Sequence, residues 1–205
     1  MDKVKIELPT SCLIGDEVVF KGKVLIRPNT IITGKCEIGD NTVLGPNSEI
    51  INTIVGNNSI IQHSLVIDSK IGDNVSVGPF AHLRNNAIIN NDVRVGNFVE
   101  IKNSVINNNT KISHLSYVGD AEIGKNVNIG AGVITANYDG KNKNKTIIKD
   151  KVFIGSNSTL IAPITIEEES LVAAGSTLTN DVPSSSLAIA RSYQVNKKRV
   201  PKNSK

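Results

Sequence analysis

The sequence predicts an all-β chain wound as a triangular parallel β-helix, with one excursion loop and a C-terminal tail. Three observations predict it. Aliphatic residues recur at every sixth position through most of the 205 residues, a period that fits neither a helix nor a simple strand alternation. Gly or an acid often follows them, as in "IGDN", "VGPF", "IGKN" and "IGSN", and Gly and Asn tolerate the left-handed backbone of tight turns. Aromatic residues make up only 3% and Trp is absent, so a core built around bulky rings is excluded and something regular must replace it.

Residues 1–13 read as a lead-in, with Pro9 ahead of the first coil, and residues 14–182 as the β-helix. The register runs Ile26, Ile32, Ile38, Leu44, Ile50, then, after a four-residue step, Ile54, Ile60 and Val66. A five-residue step leads to Ile71, Val77, Leu83, Ile89, Val95 and Ile101, followed by Ile106, Ile112 and Val118, and by Ile123, Ile129 and Thr135. After a thirteen-residue step, Ile148, Ile154, Leu160, Ile166, Val172 and Leu178 close the series. Each hexad is one short strand plus a turn, and three make a coil whose backbone hydrogen bonds run to the coils on either side. These 26 positions give between eight and nine coils, with the shorter steps as tightened corners.

The thirteen-residue step is an excursion over residues 136–147, "ANYDGKNKNKTI". Loop closure scales with the logarithm of length, so its presence carries no functional meaning. Its content does, because Asn137, Tyr138, Lys141 and Lys143 stand at the break and long excursions from solenoids line binding faces. Beyond Leu178 the pattern fails. Pro183 and the serines end the prism, and residues 183–205 form a C-terminal extension with a basic tail.

Charge and cysteine use narrow the function classes. The net charge of +4 is concentrated in the excursion and in "KKRVPKNSK", a distribution that suits an anionic small ligand and no nucleic acid. Cys12 and Cys36 lack the spacing of a disulfide framework or a zinc site. There is no apolar signal core and no run long enough to span a membrane, so the expected compartment is the cytoplasm.

The chemistry is concentrated in "HLSYVGDAEIGKNVNIGAGVITANYDGKNKNKT", His114 to Thr146. Together with "GPFAHLR", "VGNFVEIK", "VFIGS", "VAAGS" and "LAIAR", it resembles the acetyltransferase domain of the bacterial bifunctional N-acetylglucosamine-1-phosphate uridyltransferase/glucosamine-1-phosphate acetyltransferase, over residues 14–192. The resemblance implies a left-handed β-helix of the hexapeptide-repeat superfamily. It also implies acetyl transfer from acetyl-CoA to the amine of glucosamine 1-phosphate, with no metal required. The nucleotide-binding domain of that family is expected to be absent, so uridyl transfer would fall to a separate protein.

Acetyl transfer needs an uncharged amine, a base for its proton and donors for the oxyanion. By resemblance His114 is the base, a side chain whose ordinary pKa of about 6.5 suits the task. Glu100 is implied to orient His114 or hold the amine. Arg84 and Lys102 are implied as sugar-phosphate ligands, Tyr117 and Asn128 as sugar ligands, and Lys143 as a further phosphate contact that reaches a neighbouring subunit. The coenzyme falls to Ala131, Asn137, Tyr138, Ser156, Ala174 and Arg191. These residues lie on coils too far apart to converge on one face, so a homotrimer with sites between prisms is implied. His63, His82 and His114 are too scattered for the three-His zinc site of hexapeptide-repeat carbonic anhydrases. Two other readings stand beside the first: an acetyltransferase for a different amino sugar, and a non-catalytic hexapeptide scaffold.

Overall fold

The computed structural model describes residues 3–198. Thirty short strands fall into three parallel sheets of eleven, ten and nine strands, so the chain completes about ten turns with one strand per face in each. The first face runs from Val4–Ile6 to Leu187–Ala188, the second from Leu13–Ile14 to Thr177–Leu178, and the third from Val18–Phe20 to Ile164–Ile166. The one helical element among the described residues is the short turn Pro9–Ser11. This is the expected all-β prism, its stacked parallel sheets consistent with left-handed winding.

The interior is a column of aliphatic side chains from each face. Ile26, Ile32, Ile38, Leu44 and Ile50 are fully buried, as are Leu83, Ile101, Ile112, Ile123 and Ile154 further along. In one place the expected register is wrong. Ile54 and Ile60 are 45% and 42% exposed, whereas Val55 and Ile61 are 2% and 0% exposed. The sequence pairs "IV" and "II" offer an aliphatic residue to either side, so a count by six cannot choose between them. A one-residue shift of a strand exchanges its faces. The inward positions two residues earlier decide the matter, because Thr53 and Ser59 are fully buried there.

Those earlier positions mostly carry Ser, Thr, Val or Ala, with Cys36 and Ile164 as exceptions, because they sit where the coil turns. Ser59 Oγ donates to the Gly72 carbonyl at 2.9 Å and accepts from Val75 N at 3.0 Å. Thr110 Oγ1 does the same with the Gly124 carbonyl at 2.8 Å and Val127 N at 3.1 Å. Each hydroxyl ties one coil to the next and satisfies polar groups that burial would otherwise leave unpaired. At the corners, Asn41, Asn58, Asn74, Asn109 and Asn126 adopt φ values between 54° and 61°, a region that Asn enters more readily than most residues.

Strand pairing extends past residues 14–182 at both ends. Val4–Ile6 pairs with Val24–Ile26, and Leu187–Ala188 pairs with Leu171–Val172. Within the excursion, Tyr138 and Lys143 form an antiparallel bridge. Asp139 organises the loop by accepting from the backbone of Lys141 at 2.8 Å and of Asn142 at 2.6 Å. Hydrogen bonds led by that from Asn142 hold its carboxyl below the usual range. Residues 199–205 of the basic tail lie outside the described residues.

Candidate active site

Arg84, Glu100, Lys102 and Tyr117 come from three successive coils of the second face. Arg84 is in register with Lys102 and Gly119, and Glu100 is in register with Tyr117. They point outward because Leu83, Ile101 and Val118 between them fill the core. Arg84 meets Glu100 through two bonds to one carboxylate oxygen, Nη2 at 2.7 Å and Nε at 2.8 Å. Gly119 leaves a gap beside Tyr117: a Cβ there would stand 2.4 Å from the tyrosine Oη.

Lys102 leads to a second group at the corner towards the third face. Its ammonium lies 3.8 Å from Asp120 Oδ2, and both side chains are nearly buried. Asp120 accepts hydrogen bonds from the Asn103 and Asn137 side-chain amides. Burial works to raise the Asp120 pKa. Hydrogen bonds from Asn103 and Asn137 and the charges of Lys102 and Lys143 outweigh it, so the carboxyl sits below its ordinary range. Lys143 comes over from the excursion to the same place. The Lys102 ammonium beside it pushes the Lys143 pKa down, as expected for like charges held together. The result is a nearly buried carboxylate flanked by two ammonium groups, which leaves a net positive charge suited to an anion.

A separate column occupies the corner between the first and second faces. Strand Arg94–Asn97 ends at Asn97 and strand Lys111–His114 ends at His114, and these two residues are partners in register. The next residues, Phe98 and Leu115, turn the corner at φ 56° and 52°. His114 Nδ1 is 2.5 Å from Asn97 Oδ1. Ala131, Ser156 and Ala174 hold the equivalent place on the following coils, each just before a left-handed residue: Gly132, Asn157 and Gly175. Backbone bonds link the column, Gly132 N to the His114 carbonyl at 3.3 Å, Asn157 N to Ala131 at 2.7 Å, and Gly175 N to Ser156 at 2.8 Å. At its end Arg191 Nη1 donates to the Ala174 carbonyl at 2.5 Å. Thus His114 heads a row of small residues that ends at a guanidinium.

Two expected residues stand apart. Asn128 points outward from the first face, between Lys111 and Phe153, while the Arg84 group points from the second. The faces of a prism diverge, so Asn128 and Arg84 do not converge within one chain. Tyr138 is 61% exposed on the excursion, its hydroxyl donating to the Gly140 carbonyl at 2.7 Å. Glu100 pairs with Arg84, and the side chain bonded to the His114 ring is Asn97. Asn97 and Asp120 are the residues that sequence reasoning missed. Each of the pairs Asn97 and His114, Asn103 and Asp120, and Asp120 and Asn137 is separated by 17 positions, a spacing that marks such pairs only once the coil length is known.

Comparison with known proteins agrees with the repeat. Residues 5–99 match the family described as GMPPB C-terminal domain, and residues 145–180 match the hexapeptide repeat of succinyl-transferase. The chain is 55% identical over 189 residues to the bifunctional protein GlmU of Carboxydothermus hydrogenoformans, covering 92% of this chain and 42% of that protein. It is 50% identical to the bifunctional protein GlmU of Clostridioides difficile, covering 90% and 40%. The chain therefore spans less than half the length of these curated relatives. Among solved structures, the UDP-N-acetylglucosamine acyltransferase from Campylobacter jejuni superposes with a TM-score of 0.56 at 16% identity, over 93% of this chain and 71% of that one, which shows the fold alone. The three-sheet prism is thus joined by a hexapeptide-repeat match over residues 145–180 and by similarity, over most of this chain's length, to a part of the bifunctional GlmU proteins.

Proposed function

We propose that the chain transfers the acetyl group of acetyl-CoA to the amine of glucosamine 1-phosphate. The observation that carries this reading is the corner column, in which a histidine heads a run of Ala131, Ser156 and Ala174 that ends at Arg191, beside a face bearing Arg84, Lys102 and Tyr117. Similarity to proteins named as bifunctional GlmU supports the same reading.

In this reading the pantetheine arm lies along Ala131, Ser156 and Ala174, where small side chains let it approach the backbone, and Arg191 meets a coenzyme phosphate. Asn137, bonded to Asp120 at the other edge of the second face, and Tyr138 complete the coenzyme's contacts from the excursion of a neighbouring copy. The sugar phosphate is held by Arg84 and Lys102, with Lys143 adding charge and Tyr117 meeting the sugar ring. Arg presents a planar fork that makes paired, charge-assisted bonds to phosphate oxygens. The uncharged amine attacks the thioester carbonyl, and the new C–N bond forms as His114 Nε2 accepts the amine proton. Collapse of the tetrahedral adduct breaks the C–S bond, and the same proton passes to the departing thiolate. Glu100, already bonded to Arg84, fixes that guanidinium and stands next to the amine.

Asn128 belongs to the site only if another copy supplies it, because its face diverges from that of Arg84. The assembly proposed is therefore a homotrimer with each site between two prisms. The test is thiol release from acetyl-CoA by the purified chain, with and without glucosamine 1-phosphate. Release that depends on the sugar phosphate supports the reading, and release that is independent of it, or absent, overturns it.

A further inference from the structure

The contact between Asn97 and His114 has a chemical consequence that depends on which ring nitrogen carries the proton. Neutral imidazole holds one proton and one lone pair, and the partner of one nitrogen decides the state of the other. With the Asn97 oxygen towards Nδ1 at 2.5 Å the hydrogen bond places the proton on Nδ1, whereas the amide nitrogen in that position would place it on Nε2. In the first arrangement Nε2 carries the lone pair, and it is the nitrogen turned away from the partner.

The fold brings these two side chains together by design of the backbone. Gly96 is buried in the strand Arg94–Asn97, and a Cβ on it would stand 1.9 Å from the Ser113 carbonyl oxygen. Only glycine lets the two coils close up at this point. The backbone link is independent of the Asn97 side chain, since Leu115 N donates to the Asn97 carbonyl at 2.9 Å. Charged and titratable groups on the surrounding strands are Arg94 above, Lys111 on the same strand, and Glu100 and Tyr117 across the corner. Among the described residues none makes an ion pair with the ring, and Glu100 is taken by Arg84.

We infer that Asn97 is a positioning residue that fixes His114 in the Nδ1–H tautomer and, being uncharged, does so without adding a negative charge to the base. This rests on the reading of His114 as the base. A carboxylate at the same place would also fix the tautomer, but it would stabilise the imidazolium and delay formation of the free base to higher pH. Asparagine supplies the geometry without that penalty near neutral pH.

The experiment uses the full chain labelled with ¹⁵N-histidine, whose three histidines give few enough ring signals to assign with a His114→Gln variant. The native protein is expected to show the Nδ1–H tautomer at His114, and Asn97→Ala to relax it towards the Nε2–H form that free imidazole side chains prefer. In the thiol-release assay Asn97→Ala should lower kcat by about ten- to a hundredfold with little change in KM, by analogy with loss of the partner that orients a metal-bound histidine. Asn97→Asp should keep the tautomer and move the acidic limb of kcat/KM up by about one pH unit or more, with activity recovered on the alkaline side. A native ring protonated on Nε2, or an Asn97→Asp limb that does not move, overturns the inference. Absence of turnover with any amino-sugar phosphate would sink the acetyltransferase reading instead, while the ring signals still decide whether Asn97 sets the tautomer.

Discussion

Replacing Ile61 and Ile60 in turn separates two registers that differ by one residue. Ile61 is fully buried and Ile60 is 42% exposed, although the two are adjacent and chemically identical. Truncating Ile61 to Ala removes three carbons from the core, worth about 2.4 kcal/mol at about 0.8 kcal/mol per buried carbon, and the cavity left behind brings the cost into the range of about 2–5 kcal/mol. Truncating Ile60 removes carbons that already meet solvent, and should cost at most about 1 kcal/mol. For a domain near 200 residues each kcal/mol moves the midpoint by about 2–4 °C, so Ile61→Ala should lower Tm by about 4–20 °C and Ile60→Ala by about 4 °C or less. Thermal unfolding followed by circular dichroism at matched protein concentration reads both. An Ile60→Ala variant less stable than Ile61→Ala would refute the register and restore the strict count by six.

Three further outcomes follow from the site. His114→Ala should lower turnover by about a hundred- to ten-thousandfold, the range for loss of a general base, with the fold intact by circular dichroism; unchanged turnover would remove His114 from the chemistry. Lys143→Ala should chiefly raise KM for the sugar phosphate. Because Lys102 lowers the Lys143 pKa, affinity for the sugar phosphate should be full below that pKa and weaken as pH rises through it, earlier than for an isolated lysine. Lys143→Arg, which stays charged, should flatten that dependence, and identical profiles for the two proteins would count against the assignment. The depressed Asp120 pKa contributes stability that is present above the unfolded-state value and lost as pH falls through the folded-state value. Asp120→Asn should therefore lose part of the acid limb of a Tm-against-pH curve, and an unaltered limb would show that Asp120 is not coupled to folding.

The sixth-position aliphatics, with Gly and Asn between them, determined that the chain is a β-prism, because a turn after each short strand points successive sixth side chains from three faces into one shared interior. They did not determine which of two adjacent aliphatic residues faces inward, as Ile54 and Val55 show, since hydrophobicity is equal on both sides and only the packed corner with Thr53 breaks the tie. Motif resemblance brought out His114, Arg84 and Lys102, whose residue types carry chemistry by themselves. Asn97 and Asp120 were hidden among many corner Asn and Asp residues that form turns and bond from one coil to the next. Their partners are one coil away, and a coil here is 16, 17 or 18 residues, stretching to 25 across the excursion. Counting along the chain cannot therefore say which side chains stack. Only the tertiary structure decided that, because contact between coils is set by the backbone hydrogen bonds that lock their register, down to a glycine at position 96 that lets two coils close.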